Sequence, residues 1–216
     1  MPRRARGSRR PPISLLSRAI AVALLAVPEA GAAQQPSARP PRPANELAAA
    51  ALEQTRHRVT YDGSYRRIPY TGGDVPETIG VCTDVVIRAY RRLGVDLQVR
   101  VHEDMKRAFR AYPQLWRMSG PDPNIDHRRV PNLQTFFRRA GAALQVSREP
   151  GAYRVGDLVT WMLPGNLPHI GIVIGDRSAA GTPMVVHNIG RGPEVEDILF
   201  RYPITGHYRY QHDPLR

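Results

Sequence analysis

Three residues suited to nucleophilic chemistry, one cysteine and two histidines, follow one another along this chain. Cys82, the single cysteine, precedes an amphipathic stretch; His169 opens the run HIGIVIG, and His187 lies near the end of MVVHNIG. A helix N-terminus and a nearby imidazolium stabilise a thiolate, and a further polar group orients the imidazole. The pattern predicts a nucleophile, a base and an orienting residue. Asn188 is an alternative third member, and a buried inert thiol is the alternative for Cys82.

Helices and then strands are predicted to position these residues. Helical spacing, caps and breakers predict four helices, over residues 46–57 with Asn45 as N-cap, 82–93, 102–111 and 131–140. Short runs rich in Val, Ile, Trp and Tyr predict four strands, over residues 157–162, 169–174, 184–189 and 204–210. This order indicates an α+β domain, with N-terminal helices packed on a mainly antiparallel sheet.

The N-terminal segment has the pattern of a secretory signal. Residues 1–10 carry five arginines and no acid, residues 13–27 are largely apolar, and Ala30-Gly31-Ala32 is a small-x-small cleavage site. The apolar run is too short to be a stable membrane span, so we expect a periplasmic or secreted protein. The expected parts are a signal peptide over residues 1–33, a proline-rich linker over 34–44 and a hydrolase domain over 45–216.

The net charge and the absence of certain motifs limit the kinds of molecule that this protein is expected to bind. Residues 1–44 carry eight arginines and one glutamate, which leaves about +5 of the total +12 for the remaining chain. The arginines there come as scattered pairs, which predicts no nucleic-acid partner, although the excess favours an anionic surface such as a cell wall. Because the sequence has no phosphate-cradling glycine loop and no dinucleotide fingerprint, we expect no cofactor.

The run from Asp122 to His127 invites a metal interpretation. D-x-N-x-D matches the first half of a calcium loop, but His127 replaces the glycine at position six and Leu133 replaces the glutamate at position twelve. Arg128 and Arg129 follow directly and would repel a cation. We therefore expect no metal and interpret the run as a turn-rich loop. The residues assigned to substrate binding are Asp84, Asn188, Asp126 and His127.

Five blocks occur in an order that resembles the bacterial NlpC/p60 cysteine peptidases. They are YTGG, VCTDVVIRAYRRLG, RVGDLVTW, HIGIVIG and VVH. The resemblance implies a papain-like α+β fold in which Cys82 is the nucleophile, His169 the base and His187 the orienting residue. It also implies that Tyr70 lies near the oxyanion position. The family's usual Asp-Cys-Ser-Gly is replaced here by Val-Cys-Thr-Asp.

Two further segments, VHEDM and PDPNIDHRRVPNLQTFF, resemble a narrower family, the bacterial exported domain of unknown function 1287 (YijF-like), related to NlpC/p60. Together these features predict an exported, monomeric cysteine hydrolase that cleaves amide bonds, with peptidoglycan or another peptide as substrate. Two alternatives stay open at this point. One is a non-catalytic module that binds cell wall or peptide, and the other is a thiol acyltransferase.

Overall fold

The structure is a computed structural model that describes residues 42–211. Within that range it contains four α-helices, and short 3-10 turns join several of the elements. The helices are α1 (Arg42–Gln54), α2 (Cys82–Arg92), α3 (Leu97–Ala108) and α4 (Val130–Arg139). The strands are β1 (Thr60–Tyr61), β2 (Ile79–Gly80), β3 (Ala143–Leu144), β4 (Leu158–Leu163), β5 (Leu167–Arg177), β6 (Pro183–His187), β7 (Glu194–Glu196) and β8 (Ile204–Tyr208).

Six strands form one sheet in the order β3-β8-β4-β5-β6-β7, and every neighbouring pair in it is antiparallel. The two remaining strands, β1 and β2, make a separate parallel ladder in which Tyr61 is opposite Gly80. This ladder lies directly before α2 in the chain. The predicted α+β fold, with helices followed by a mainly antiparallel sheet, is confirmed.

The two faces of the sheet carry two hydrophobic clusters. On the first face, Ile170 and Ile172 of β5 pack with buried residues of all four helices. On the second face, Trp161 and Val173 pack with Ile198 and Leu199 of the segment before β8. Side chains alternate across a strand, so β5 contributes to both clusters and is the central strand of the fold.

The predicted helices α2 and α4 are confirmed to within two residues, but α1 and α3 begin earlier than predicted. Helix α1 starts at Arg42, because Pro43 is compatible with a first helical turn, so the last residues of the predicted linker are helical. Helix α3 starts at Leu97, because the Asp96 side chain accepts hydrogen bonds from the Gln98 and Val99 N–H groups. The strands β1, β2, β3 and β7 were not predicted.

The predicted signal peptide over residues 1–33, and the linker as far as residue 41, lie outside the described residues. Between residues 42 and 211, no helix combines the length and apolar character that crossing a membrane requires.

Candidate active site

Cys82 is the first residue of α2, as predicted. Val81 before it is extended, and its N–H donates to Asp84 Oδ2 at 2.7 Å, which satisfies one donor at the start of the helix. The following Val85 and Val86 are fully buried in the first cluster and fix α2 against the sheet. The thiol is therefore held at a defined point, and only 4% of Cys82 is exposed.

The thiol reaches the sheet at the peptide bond that follows His169. The Ile170 N–H faces the sulfur and favours its thiolate form, and the pairing of β5 with β6 begins two residues later, at Ile172. None of the hydrogen bonds within residues 42–211 joins Cys82 to the His169 ring. Helix and sheet thus bring Cys82 to the backbone of Ile170, the residue that follows His169 in β5.

Burial determines the protonation of the thiol. It raises the pKa of Cys82 to about 12, against the opposing effect of the Ile170 N–H, and the Asp84 carboxylate raises it further. The helix N-terminus and histidine were expected to favour the thiolate. In this structure the thiol is neutral instead, because desolvation outweighs the N–H donors.

His169 and His187 form a buried pair on the second face of the sheet. His169 Nε2 lies 3.0 Å from His187 Nδ1, and the two rings are perpendicular. Trp161, opposite His169 in the register, lies against the same ring. Burial first, and then His187, lowers the pKa of His169 to about 3, so the base is a neutral imidazole.

Glu196 of β7 lies behind this pair and was not foreseen from the sequence. Its Oε2 is 3.0 Å from His187 Nε2, which is within ion-pair distance. Burial lowers the pKa of His187, and the carboxylates of Glu196 and Glu194 oppose that shift. The arrangement is a chain of three groups in the order His169, His187 and Glu196, of which Glu196 is the most exposed.

Asn188, the alternative third residue, has other partners. Its Nδ2 donates to Gly80 O at 3.3 Å, and its Oδ1 accepts from the N–H groups of Gly190 and Gly192. Asn188 therefore fastens the turn after β6 to strand β2. The geometry brings His187, not Asn188, to the His169 ring.

Tyr61, rather than the predicted Tyr70, is the tyrosine whose charge interacts with that of the thiol. Tyr70 contacts α3 instead, because its hydroxyl donates to Glu103 Oε1 at 2.9 Å and its ring meets His102 edge-on. Tyr61 of β1 is paired with Gly80, two residues before Cys82 in the chain. Burial, and then the Cys82 and Asp84 charges, raises the pKa of Tyr61 to about 12. Sequence reasoning missed Tyr61 because a strand of two residues gives no periodic signal.

Asp84 is held by Arg128 rather than exposed to a substrate. The guanidinium Nε and Nη2 donate to the two carboxylate oxygens at 2.8 and 2.9 Å, and both side chains are buried. Arg128 also donates to the backbone oxygens of Asp62 and Ser64. This buried ion pair joins the start of α2 to the segment that follows Tyr61.

Asp126 and His127 are buried as well, each 2% exposed, and do not reach a surface where they could bind substrate. Asp126 accepts from the Asp122 N–H at 2.5 Å and pairs with Arg129. Burial lowers the pKa of His127 to about 4. Within the part of the chain that the structure describes, no three His, Cys, Asp or Glu residues are grouped to hold a metal ion.

Two solved structures resemble this fold distantly. NlpC1 and NlpC2 from Trichomonas vaginalis are both 16% identical to the chain, with TM-scores of 0.43 and 0.40. They match 77% and 78% of this chain but 44% and 48% of their own, so the chain spans less than half of their length. Similarity at this level carries no conclusion about activity.

Sequence comparison identifies the family. Residues 48–210 match the family model described as Domain of unknown function (DUF1287). The chain is also 50% identical over 164 residues to the "Uncharacterized protein YijF" of Escherichia coli (strain K12), which covers 76% of this chain and 80% of that protein. The family predicted from the sequence is thereby confirmed, and the chain belongs to DUF1287.

Proposed function

We propose that this protein is an exported cysteine hydrolase that cleaves amide bonds in peptides, with peptidoglycan peptides as its substrate. The observations that carry the proposal are the position of Cys82 at the start of α2, against the backbone of Ile170, and the buried pair that the preceding His169 forms with His187. Export rests on the arginine-rich, apolar N-terminus. Peptidoglycan is the amide-rich polymer available outside the cytoplasm.

The proton path follows from the hydrogen bond between the histidines. Nδ1 of His169 can accept the thiol proton only when Nε2 carries the ring hydrogen, and that hydrogen is then donated to Nδ1 of His187. His187 in turn carries its hydrogen on Nε2, towards Glu196. The carboxylate favours the positive charge that the two rings share once His169 is protonated.

Both the thiol and the imidazole are neutral at rest, so proton transfer accompanies attack. The Cys82 sulfur forms a bond to the carbonyl carbon while its proton passes to His169, which leaves a tetrahedral oxyanion. When the C–N bond breaks, His169 returns that proton to the leaving amine. Water then attacks the thioester, with His169 accepting its proton, and Cys82 leaves as the free thiol.

Two groups beside the thiol are suited to the oxyanion. The backbone N–H of Cys82 belongs to the first turn of α2, where it has no helical acceptor. The hydroxyl of Tyr61, whose strand pairs with β2 just before Cys82, is the second donor that we assign to the oxyanion, and it stays protonated at neutral pH because its pKa is raised to about 12. One such donor contributes roughly 3 kcal/mol to the transition state.

A non-catalytic module that binds cell wall or peptide is the second candidate. The observation that favours it is the burial of Cys82, which keeps the thiol protonated. An acyltransferase would form the same thioester and differ only in the final acceptor.

The test is product release from purified muropeptides, followed by mass spectrometry, with variants matched in pairs. Cys82→Ala should abolish release while circular dichroism stays unchanged. Tyr61→Phe should lower kcat by about 100- to 1000-fold, the effect of losing one oxyanion donor. Tyr70→Phe, whose hydroxyl bonds only Glu103, should keep nearly full activity.

Turnover by Cys82→Ala would overturn the proposal. If the wild-type chain releases no product but binds muropeptides as tightly as Cys82→Ser does, the binding module is the correct function. If the wild-type chain produces transpeptidated rather than hydrolysed fragments, the protein is an acyltransferase.

A further inference from the structure

A cavity of about 520 Å³ opens between the end of α1, the outer side of α2 and the segment 74–78. It is lined by four arginines and three acids, and neither Cys82 nor His169 lines it. Its volume is that of sites for small molecules. Some charged side chains of its wall form ion pairs within the protein, and others have no partner among the described residues.

Arg88 forms its contacts within the protein. Its guanidinium pairs with Asp74 at 3.0 Å and donates to the backbone oxygens of Val75, Pro76 and Ile79. Asp74 is neutralised by this contact and by Arg91, whose Nη1 lies 2.7 Å away. These three charges stabilise segment 74–78 against α2 and have little capacity left for a ligand.

Arg91 and Gln54 line the cavity, and each has one buried polar atom without a partner among the described residues. Nη1 and Nη2 of Arg91 bond Asp74 and the Gly73 carbonyl, but the buried Nε donor has no acceptor. Gln54 Nε2 donates to Val85 O at 2.9 Å, whereas its buried Oε1 has no donor. This donor and this acceptor make the wall polar at the point where α1 meets α2.

Three charged side chains complete the wall. Arg58, Arg92 and Glu77 are exposed, line the cavity, and make no hydrogen bond or ion pair with any other described residue. Two guanidiniums and one carboxylate are thus available. Guanidinium binds carboxylate in a bidentate manner, and carboxylate binds ammonium.

We infer that this cavity binds a small ligand with two carboxylates and one ammonium, the charge pattern of an acidic amino acid or a short acidic peptide. Arg58 and Arg92 would each bind a carboxylate, and Glu77 the ammonium. This site does not depend on the thiol chemistry proposed for Cys82.

Isothermal titration calorimetry of the full chain tests the inference. The probes are glutamate and the dipeptide alanyl-glutamate, which distinguish an amino-acid site from a peptide site. We expect saturable binding of at least one probe, at least tenfold weaker binding by the double variant R58A/R92A, and weaker binding of N-acetylated alanyl-glutamate. R110A/R148A, which removes two exposed arginines outside the cavity, is the matched control and should bind like the wild type.

Binding that survives in R58A/R92A, or that is lost equally in R110A/R148A, would overturn the inference. So would the absence of saturable binding of both probes up to about 10 mM, weaker than the millimolar affinities that a few kcal/mol give. The Cys82→Ala variant separates this site from the proposed hydrolase. It should bind the probes normally even though it releases no product.

Discussion

The reactivity of Cys82 towards iodoacetamide, measured against pH, distinguishes a buried neutral thiol from a preformed thiolate–imidazolium pair. The attacking species is the thiolate. Burial raises the pKa of Cys82 from 9.0 to about 12, so at neutral pH its thiolate fraction is about a thousandfold below that of an ordinary thiol. We expect the folded chain to react at least that much more slowly than the same chain unfolded in urea.

The alkylation rate of Cys82 should increase with pH. Because the rate follows the thiolate fraction, it should rise about tenfold for each pH unit between pH 6 and 9, with no plateau in that range. His169, whose pKa is lowered to about 3, is neutral throughout the range and adds no charge to stabilise the thiolate. The His169→Ala variant should therefore give a profile of the same shape.

One result would refute this reasoning. A plateau with its midpoint below about 8.5, shifted upward by His169→Ala, would establish an ion pair between thiolate and imidazolium. The neighbouring positive charge would then lower the pKa of Cys82 by more than desolvation raises it, and attack on the substrate would begin from a thiolate. Circular dichroism at each pH checks that the chain remains folded.

Two substitutions test how the site is held together. Arg128→Met leaves the Asp84 carboxylate buried without its partner and should cost about 3–5 kcal/mol of unfolding free energy in urea, whereas Arg66→Met, at an exposed pair, should barely move the midpoint. Gly171→Ala would put a Cβ 2.6 Å from a Val185 methyl and 3.1 Å from the His187 Cβ. It should lower kcat at least tenfold and destabilise the fold by about 1–3 kcal/mol. Gly175→Ala in the same strand, with nothing nearer than 4.0 Å, should do neither; equal effects of the two would contradict the reasoning.

The parts of the site that lie in regular elements were predictable from the sequence. The apolar spacing after Cys82 predicted the start of α2, because the same residues that form the stripe bury the helix. His169 and His187 stand in strands of alternating pattern, and strand alternation puts both on one face. Local periodicity is enough wherever an element is long enough to repeat its pattern.

The parts that depend on short or non-local contacts were not predictable. Tyr61 and Tyr70 lie in one irregular stretch, and only the β1–β2 ladder, paired across nearly twenty residues, brings Tyr61 to the thiol. Glu196 stands in a strand of three residues, too short to show alternation. The protonation of Cys82 also depends on burial, which arises from the assembled fold rather than from its neighbours in the chain.

The ion pair between Asp84 and Arg128 ties together two positions that are 44 residues apart in the chain. Loss of either charged side chain alone lowers the free energy of unfolding by several kcal/mol, and that free energy is only about 5–15 kcal/mol for most proteins. Related sequences should therefore keep both charges or exchange both for a neutral pair, and rarely carry one without the other. An alignment of relatives would show the two positions varying together. Sites with the Val-Cys-Thr-Asp sequence could then be recognised from genome sequences alone, without a structure.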